Sequence, residues 1–229
     1  VIQADDAGRS MEAVKTAITY RYEEDACNRV IYSESHDEVA NGKARVPQEI
    51  NNDDPTGWHA QKRSTLAAGL LFTSPGIPMI FQGQEFLQGE WFRDNVPLDW
   101  HMNEEYHGVA RMYRDLIWLR LNRDGVSRGL CGQNVAVTHV NDQQNLIAFQ
   151  RWDQHGDGDD VMVIANCGYE VKEGYRIGMP QSGEWKLRFN SDASIYSDDF
   201  QNTLSTHLTA TDEAQDGLPA SAEVTIAPY

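Results

Sequence analysis

The side chains best suited to chemistry crowd into one short stretch. The run Val30-Ile31-Tyr32 is β-branched and aromatic and reads as a short buried strand; Glu34, Ser35, His36, Asp37 and Glu38 follow at its end. Packing does not call for an imidazole among three carboxylates. A buried strand that delivers such groups to its C-terminal end is how α/β barrels assemble active sites. The same residues also read as a polar loop, with Asp37 capping a turn and His36 in solvent. On this stretch alone the two readings balance.

A second run tips that balance. Gly76-Ile77-Pro78-Met79-Ile80-Phe81 is apolar and ends in Gln82-Gly83-Gln84-Glu85, with Gly83 as the turn residue. Between the runs the pattern predicts an amphipathic helix over about Trp58 to Phe72, with Leu66, Leu70 and Thr73 on one face and Gln61, Lys62 and Arg63 exposed. The order is strand, helix, strand, and each strand carries acid at its exit. Glu85 either lines the same mouth or accepts backbone N–H groups at the strand end. The loop Leu87 to Met102 then gathers Trp91, Phe92, Asp94 and Trp100. Indole faces and carboxylates of this kind suit a sugar, whose apolar faces stack while its hydroxyls bond acids. They equally suit a loop plugging the rim, the reading Trp100 favours; for Trp91 both stand. Lys43 and Asp94 are weaker candidates that could be solvated loop charges.

The rest of the chain sets the frame. Ser10 is placed to cap a helix with Met11, Val14, Ile18 and Tyr22 on one face, ending poorly at Glu24-Asp25. Ala40 to Gly57 reads as a polar loop in which Asp54-Pro55 could begin the next helix. A further helix is expected over about Glu104 to Asn122, with Val109, Tyr113, Leu116 and Ile117 inward. After Gly129 the period changes to two. Val135–Thr138, Leu146–Phe149, Val161–Ala165, Trp185–Phe189 and Val224–Ile226 read as short strands of an antiparallel sandwich, and residues 190–221 hold one strand or none. Asp153, His155, Asp157 and Asp159 mimic a calcium loop, but position twelve is Ile164 rather than a bidentate Glu, so a hairpin tip is the better reading. His101 and His107 lack ligand partners at a credible spacing.

Composition narrows the function. The 229 residues carry a net charge of −16, against the basic footprint that nucleic acid or an anionic membrane surface requires; a neutral polysaccharide is indifferent to it. Cys27, Cys131 and Cys167 are few, odd in number and far apart, which suits small buried hydrophobes in a reducing compartment rather than a disulfide framework or zinc site. No apolar stretch approaches the roughly 20 residues needed to span a bilayer, and no signal peptide is apparent, so a cytoplasmic location is expected.

At His36-Asp37 and Gly76 to Glu85 the chain resembles the α-amylase superfamily, at the ends of that family's seventh and eighth barrel strands. Ser35-His36-Asp37-Glu38-Val39 with Gly42-Lys43, and Glu90-Trp91 through Leu98-Asp99-Trp100-His101, are similar to 1,4-α-glucan (glycogen) branching enzymes. In the β part, Val140-Asn141-Asp142, Glu173-Gly174-Tyr175-Arg176-Ile177-Gly178 and Phe189-Asn190-Ser191-Asp192-Ala193 look like that family's C-terminal domain. The resemblance implies an α/β plus all-β chain. Residues 1–125 would be the last two strands and flanking helices of a (β/α)8 TIM barrel, which needs eight strands and about 250 residues, and residues 126–229 an antiparallel β-sandwich. It implies retaining transglycosylation, cutting α-1,4 and forming α-1,6 linkages, with Asp37 as transition-state stabiliser beside His36 and with Glu38, Glu85, Trp91 and Asp94 as substrate contacts. The nucleophile and acid/base would lie on earlier strands outside this sequence, leaving it inactive alone; neither cofactor nor metal is implied. The implied partners are an α-glucan and the missing part of the barrel, and open strand edges predict self-association. An α-amylase-type hydrolase and a non-catalytic glucan-binding module are the alternatives.

Overall fold

The computed structural model describes residues 2–156, 158–203 and 207–229. Helix α1 (Met11–Thr19) begins where Ser10 predicts, its side chain accepting from the Ala13 N–H at 3.2 Å, and buries Met11, Val14 and Ile18. It stops before Tyr22. Tyr20, directly after the helix, takes extended backbone angles, which an α-helix cannot continue.

Strand β1 (Val30–Ile31) pairs in parallel with β2 (Ile77–Pro78), Val30 opposite Ile77 and Ile31 opposite Pro78. The Ile77 N–H donates to the Arg29 carbonyl and the Met79 N–H to that of Ile31, at 2.8 and 2.9 Å. Between them lie α2 (His36–Ala40), α3 (Val46–Ile50) and α4 (Trp58–Thr73). The expected loop over Ala40 to Gly57 therefore contains a helix, started by Pro47 in its first turn. Gly57, not Asp54, caps α4; a Cβ there would lie 1.9 Å from the Asp54 carboxylate, which would have to move aside.

Helix α4 is buried almost all round, which corrects the expected exposure of Gln61, Lys62 and Arg63. The β half covers the polar face and supplies a partner: Lys62 Nζ donates to Asp192 Oδ1 at 2.8 Å, with side chains 0% and 1% exposed. Gln61 donates to the Thr56 carbonyl and Arg63 to that of Ala4. The single helix expected after Glu104 is two, α5 (Trp100–Glu105) and α6 (His107–Arg120). Trp100, expected to plug the rim, is not buried. It is exposed at the start of α5, its ring 5.5 Å from Phe86. Where α6 crosses the 190s segment, a Cβ on Gly108 would lie 2.2 Å from the Tyr196 carbonyl oxygen, so glycine permits the contact.

Among the described residues the β half holds three antiparallel sheets. Strands β3 (Asn134–Asn141), β4 (Leu146–Trp152) and β5 (Val161–Asn166) lie in that order; β6 (Lys172–Met179) pairs with β9 (Ala220–Ile226), and β7 (Gly183–Lys186) with β8 (His207–Ala210). Strand β6 escapes the pattern because Gly174 and Gly178 interrupt its alternation. The expected strand at Trp185 ends at Lys186 rather than Phe189. Both faces of β4 are covered. Ile147 and Phe149 join a core with Met11, Val14 and Leu66, while Leu146 and Ala148 join Ile177, Met179 and Val224 between the sheets. A third core sets Ala68, Leu71 and Phe72 of α4 against Val109, Met112 and Leu116 of α6, with Ile31, Tyr196 and Phe200.

The loop between β4 and β5 is a hairpin tip in which Asp159 accepts from the Asp153 and Gln154 N–H groups; Asp157 lies outside the described residues. Among the described residues no cluster of His, Cys, Asp and Glu could hold a metal, and no helix is long and apolar enough to cross a membrane. Cys27 and Cys131 are exposed rather than buried, and only Cys167 sits in a core, where burial pushes its thiol up to about 11.

Lys62→Ala is expected to cost about 3–5 kcal/mol, because it strands Asp192 without a counter-ion. Lys62→Met combined with Asp192→Leu is expected to recover part of that loss. Urea unfolding midpoints check this, and a double variant as unstable as the sum of the singles would contradict it.

Candidate functional site

Past β1 the chain turns inward and then out again. Glu34 is buried, and Ser35 caps α2, its Oγ accepting from the Glu38 N–H at 3.4 Å. This puts His36 and Asp37 in the first turn of a five-residue helix rather than directly at the strand's end. The helix start also orders Asp37 and Glu38 where carboxylates are favoured. His36 Nε2 lies 3.1 Å from Asp37 Oδ1, and the two side chains are 62% and 79% exposed. The pair therefore stands side by side, as expected, but on an open surface. Rings of Phe81 and Phe92 flank His36, with centroids 6.5 and 6.3 Å away. Glu38 turns to Lys43, 3.1 Å away.

Behind α2 lies a buried ionic cluster. Arg45 Nη2 is 3.1 Å from Glu34 Oε1, both side chains almost wholly enclosed, and the Val46 N–H donates to Glu34 Oε2 at 2.7 Å. The same guanidinium donates to the Gln82 carbonyl at 2.8 Å and lies over the Phe81 ring, 4.2 Å from its centroid. Gln84, from the turn after β2, donates to Ser33 Oγ after β1. One arginine and one glutamine thus bind the two strand exits together, and Phe81 carries that order to His36. Burial raises the Glu34 pKa; Arg45 and the Val46 N–H oppose the shift, and Glu38 and Glu85 add to it. Burial lowers Arg45 in turn.

Glu85 joins this cluster from the far side. Its Oε2 is buried without a hydrogen-bond partner, and its charge acts on Glu34, Arg45 and the buried Tyr113. It is half-buried behind α2. Trp91 and Asp94 are both exposed on the loop after Leu87, and the ring of that loop that reaches His36 belongs to Phe92. The structure thus groups His36, Asp37 and Glu38 on one helix, sets Glu85 behind them, and leaves Trp91 and Asp94 on the margin. Sequence reasoning missed Arg45, Phe81 and Gln84. The available signal was an arginine directly before Val46-Pro47, an apolar setting in which a cation needs a partner.

Such a surface can present an imidazole, two carboxylates and flanking rings to a hydroxyl-rich ligand. Residues 137–229 match the family described as Alpha amylase, C-terminal all-beta domain. Over that stretch the chain is similar to the α-amylase family. It is 33% identical over 184 residues to the 1,4-alpha-glucan branching enzyme GlgB 1 of Xanthomonas euvesicatoria pv. vesicatoria, across 79% of this chain and 24% of that protein. It is 32% identical over 219 residues to the branching enzyme GlgB of a Shewanella species, across 93% and 28%. The chain thus spans about a quarter of the length of these curated relatives. In fold it is similar to pullulanase type I from Bacillus subtilis, solved with maltose, with TM-score 0.63 at 18% identity over 97% of this chain and 32% of that one. An Anoxybacillus α-amylase aligns with TM-score 0.57 at 15% identity, over all of this chain and 44% of that one.

Arg45→Met is expected to cost about 3–5 kcal/mol at pH 8, where it leaves an ionised Glu34 buried and alone. Without Arg45 the folded-state pKa of Glu34 rises further above its unfolded value. Stability then falls as pH rises through that window, so the loss should be smaller at pH 5. Denaturation midpoints at the two pH values test this; an equal loss at both would contradict it.

Proposed function

We propose that the chain is the carboxyl-terminal part of an α-glucan branching enzyme. In this reading residues 1–125 supply the last two strands of a (β/α)8 barrel, and residues 126–229 are a sandwich packed against it. The observation that carries the reading is the pairing of β1 with β2. Two parallel strands joined through helices turn His36-Asp37 and Glu85 to the same end, in a chain similar to branching enzymes over most of its length. The short strands fit it too. Val30 and Ile77 are 50% and 49% exposed, as expected of strands that lack further neighbours, and they favour self-association or pairing with the rest of a barrel.

The mechanism follows from what His36 and Asp37 can reach. Retaining transfer from an α-1,4 to an α-1,6 linkage uses a carboxylate nucleophile and a carboxylic acid, which this reading assigns to chain outside the sequence. Asp37 accepts hydrogen bonds from sugar hydroxyls, and His36 holds a neighbouring hydroxyl. Hydrogen bonds that shorten as the ring flattens toward the oxocarbenium ion stabilise the transition state more than the bound sugar. Glu38, Glu85, Trp91 and Asp94 border the path of the glucan. The open face of α2 accords with one wall of a cleft whose other walls are elsewhere. The similarity to branching enzymes favours transfer to a sugar hydroxyl over hydrolysis by water.

Maltoheptaose should perturb the backbone amide resonances of residues 36–40, and Asp37→Ala should weaken that binding at least about tenfold. Asp37 is exposed, so the loss would not reflect unfolding. Unchanged affinity would sink the reading in favour of a non-catalytic module. Amylose incubated with the chain alone should gain no α-1,6 branch points and lose no length.

A further inference from the structure

The β half carries a cluster of titratable side chains that the His36–Asp37 surface does not use. Its strands are irregular where they contribute to it. The pairing of β3 with β4 shifts register between Val137 and His139, and that of β6 with β9 between Lys172 and Tyr175. Irregularities of this kind re-aim the side chains beside them. His139, from the edge strand β3, meets Tyr175 of β6, its Nε2 lying 3.0 Å from the phenol oxygen. A tight turn, in which the N–H groups of Gln215 and Leu218 donate to each other's carbonyls, brings Asp216 over β6. Gly178 permits that approach, since a Cβ there would lie 2.4 Å from the Gln215 carbonyl oxygen. Asp216 Oδ1 is 3.0 Å from His139 Nδ1, and Asp216 Oδ2 accepts from the Gly178 N–H at 2.9 Å.

The donor and acceptor roles follow from the partners. A carboxylate only accepts, so Nδ1 of a neutral His139 carries the ring proton and Nε2 keeps a lone pair for the Tyr175 O–H. Asn141 Nδ2 donates to the same phenol oxygen at 2.9 Å, and the Gln144 N–H on Asn141 Oδ1 fixes that amide. The order is carboxylate, imidazole, hydroxyl. The acid orients the base, and a further donor stands where negative charge develops on the phenol oxygen. His139, Asn141, Tyr175 and Asp216 all keep partial exposure, so a reagent can reach them.

We propose that Tyr175 is a nucleophile for acyl transfer, with His139 as its base, Asp216 as the residue positioning His139, and an aryl ester or thioester as the acyl donor. The Tyr175 oxygen attacks the acyl carbonyl as its proton passes to His139 Nε2. The bond from that carbonyl to the leaving oxygen or sulfur breaks, and the leaving group takes the proton. Water then attacks the acyl-tyrosine, giving a proton to His139; the acid is released and the departing phenolate recovers the proton. The donor class follows from the nucleophile. A phenyl ester is a higher-energy ester than an alkyl one because phenolate leaves readily, so only a donor with a comparably good leaving group can load a tyrosine.

Treating the 229-residue chain with p-nitrophenyl acetate and reading the sites of acetylation by peptide mass spectrometry tests this. Tyr175 should be acetylated about a hundredfold faster than Tyr32, whose phenol is exposed. Tyr175→Phe, which keeps the ring, should remove that label. His139→Gln should slow labelling of Tyr175 to the Tyr32 rate, and added imidazole should restore part of the rate in His139→Ala. Asp216→Asn should slow it too, and should shift the nitrogen resonances of the His139 ring away from the Nδ1–H tautomer. Acetylation of Tyr175 no faster than that of Tyr32, or an unchanged rate in His139→Gln, would each overturn the proposal.

Discussion

The contact between Glu34 and Arg45 governs what the surface in front of it can present. A carboxylate and a guanidinium withdrawn from water each lose several kcal/mol of hydration, and only close pairing with further hydrogen bonds offsets that loss. Here the further bonds come from the Val46 N–H and the Gln82 carbonyl, which belong to α3 and to the chain leaving β2. Those bonds form only when both strand exits and α3 stand in one arrangement. That arrangement sets Phe81 beneath the His36 ring and leaves His36 and Asp37 outermost. Charge is buried behind so that polarity can be offered in front.

The Lys62–Asp192 pair has the same character at a larger scale. Asp192 also accepts from the Thr203 N–H at 2.8 Å, so the long segment after β7 is folded around the partner of a helix residue. Helix α4 can be buried almost all round because Gln61, Lys62 and Arg63 each meet an acceptor outside the helix. It stands between the core shared with α6 and the core shared with β4, and the two halves support each other through it. Rigidity behind the site and an open face before it suit a surface that recognises an extended, hydroxyl-rich chain.

How legible this was from the sequence depended on how local the deciding interaction is. Ser10 fixed the start of α1 because a cap and its N–H lie three residues apart. Strands β3, β4, β5 and β9 were readable from alternation and β-branching, and the His36–Asp37 adjacency is a matter of neighbouring letters. The failures were non-local. Gln61, Lys62 and Arg63 look solvated until Asp192 arrives from 130 residues away. Arg45 looks like a loop cation until Glu34 is folded against it. Trp91 and Phe92 are both credible sugar platforms on paper, and only the path of the loop distinguishes the ring beside His36. Alternation could not reveal β6, since two glycines leave gaps in it and pairing with β9 decides its state.

The account's central claim is that the buried pair and the exposed pair act as one unit for carbohydrate. The most direct test is maltoheptaose affinity at residues 36–40 in Arg45→Met, measured at pH 5 under conditions where the variant is folded. The account predicts binding there weakened about tenfold. Affinity at residues 36–40 equal to that of the unaltered chain would contradict it.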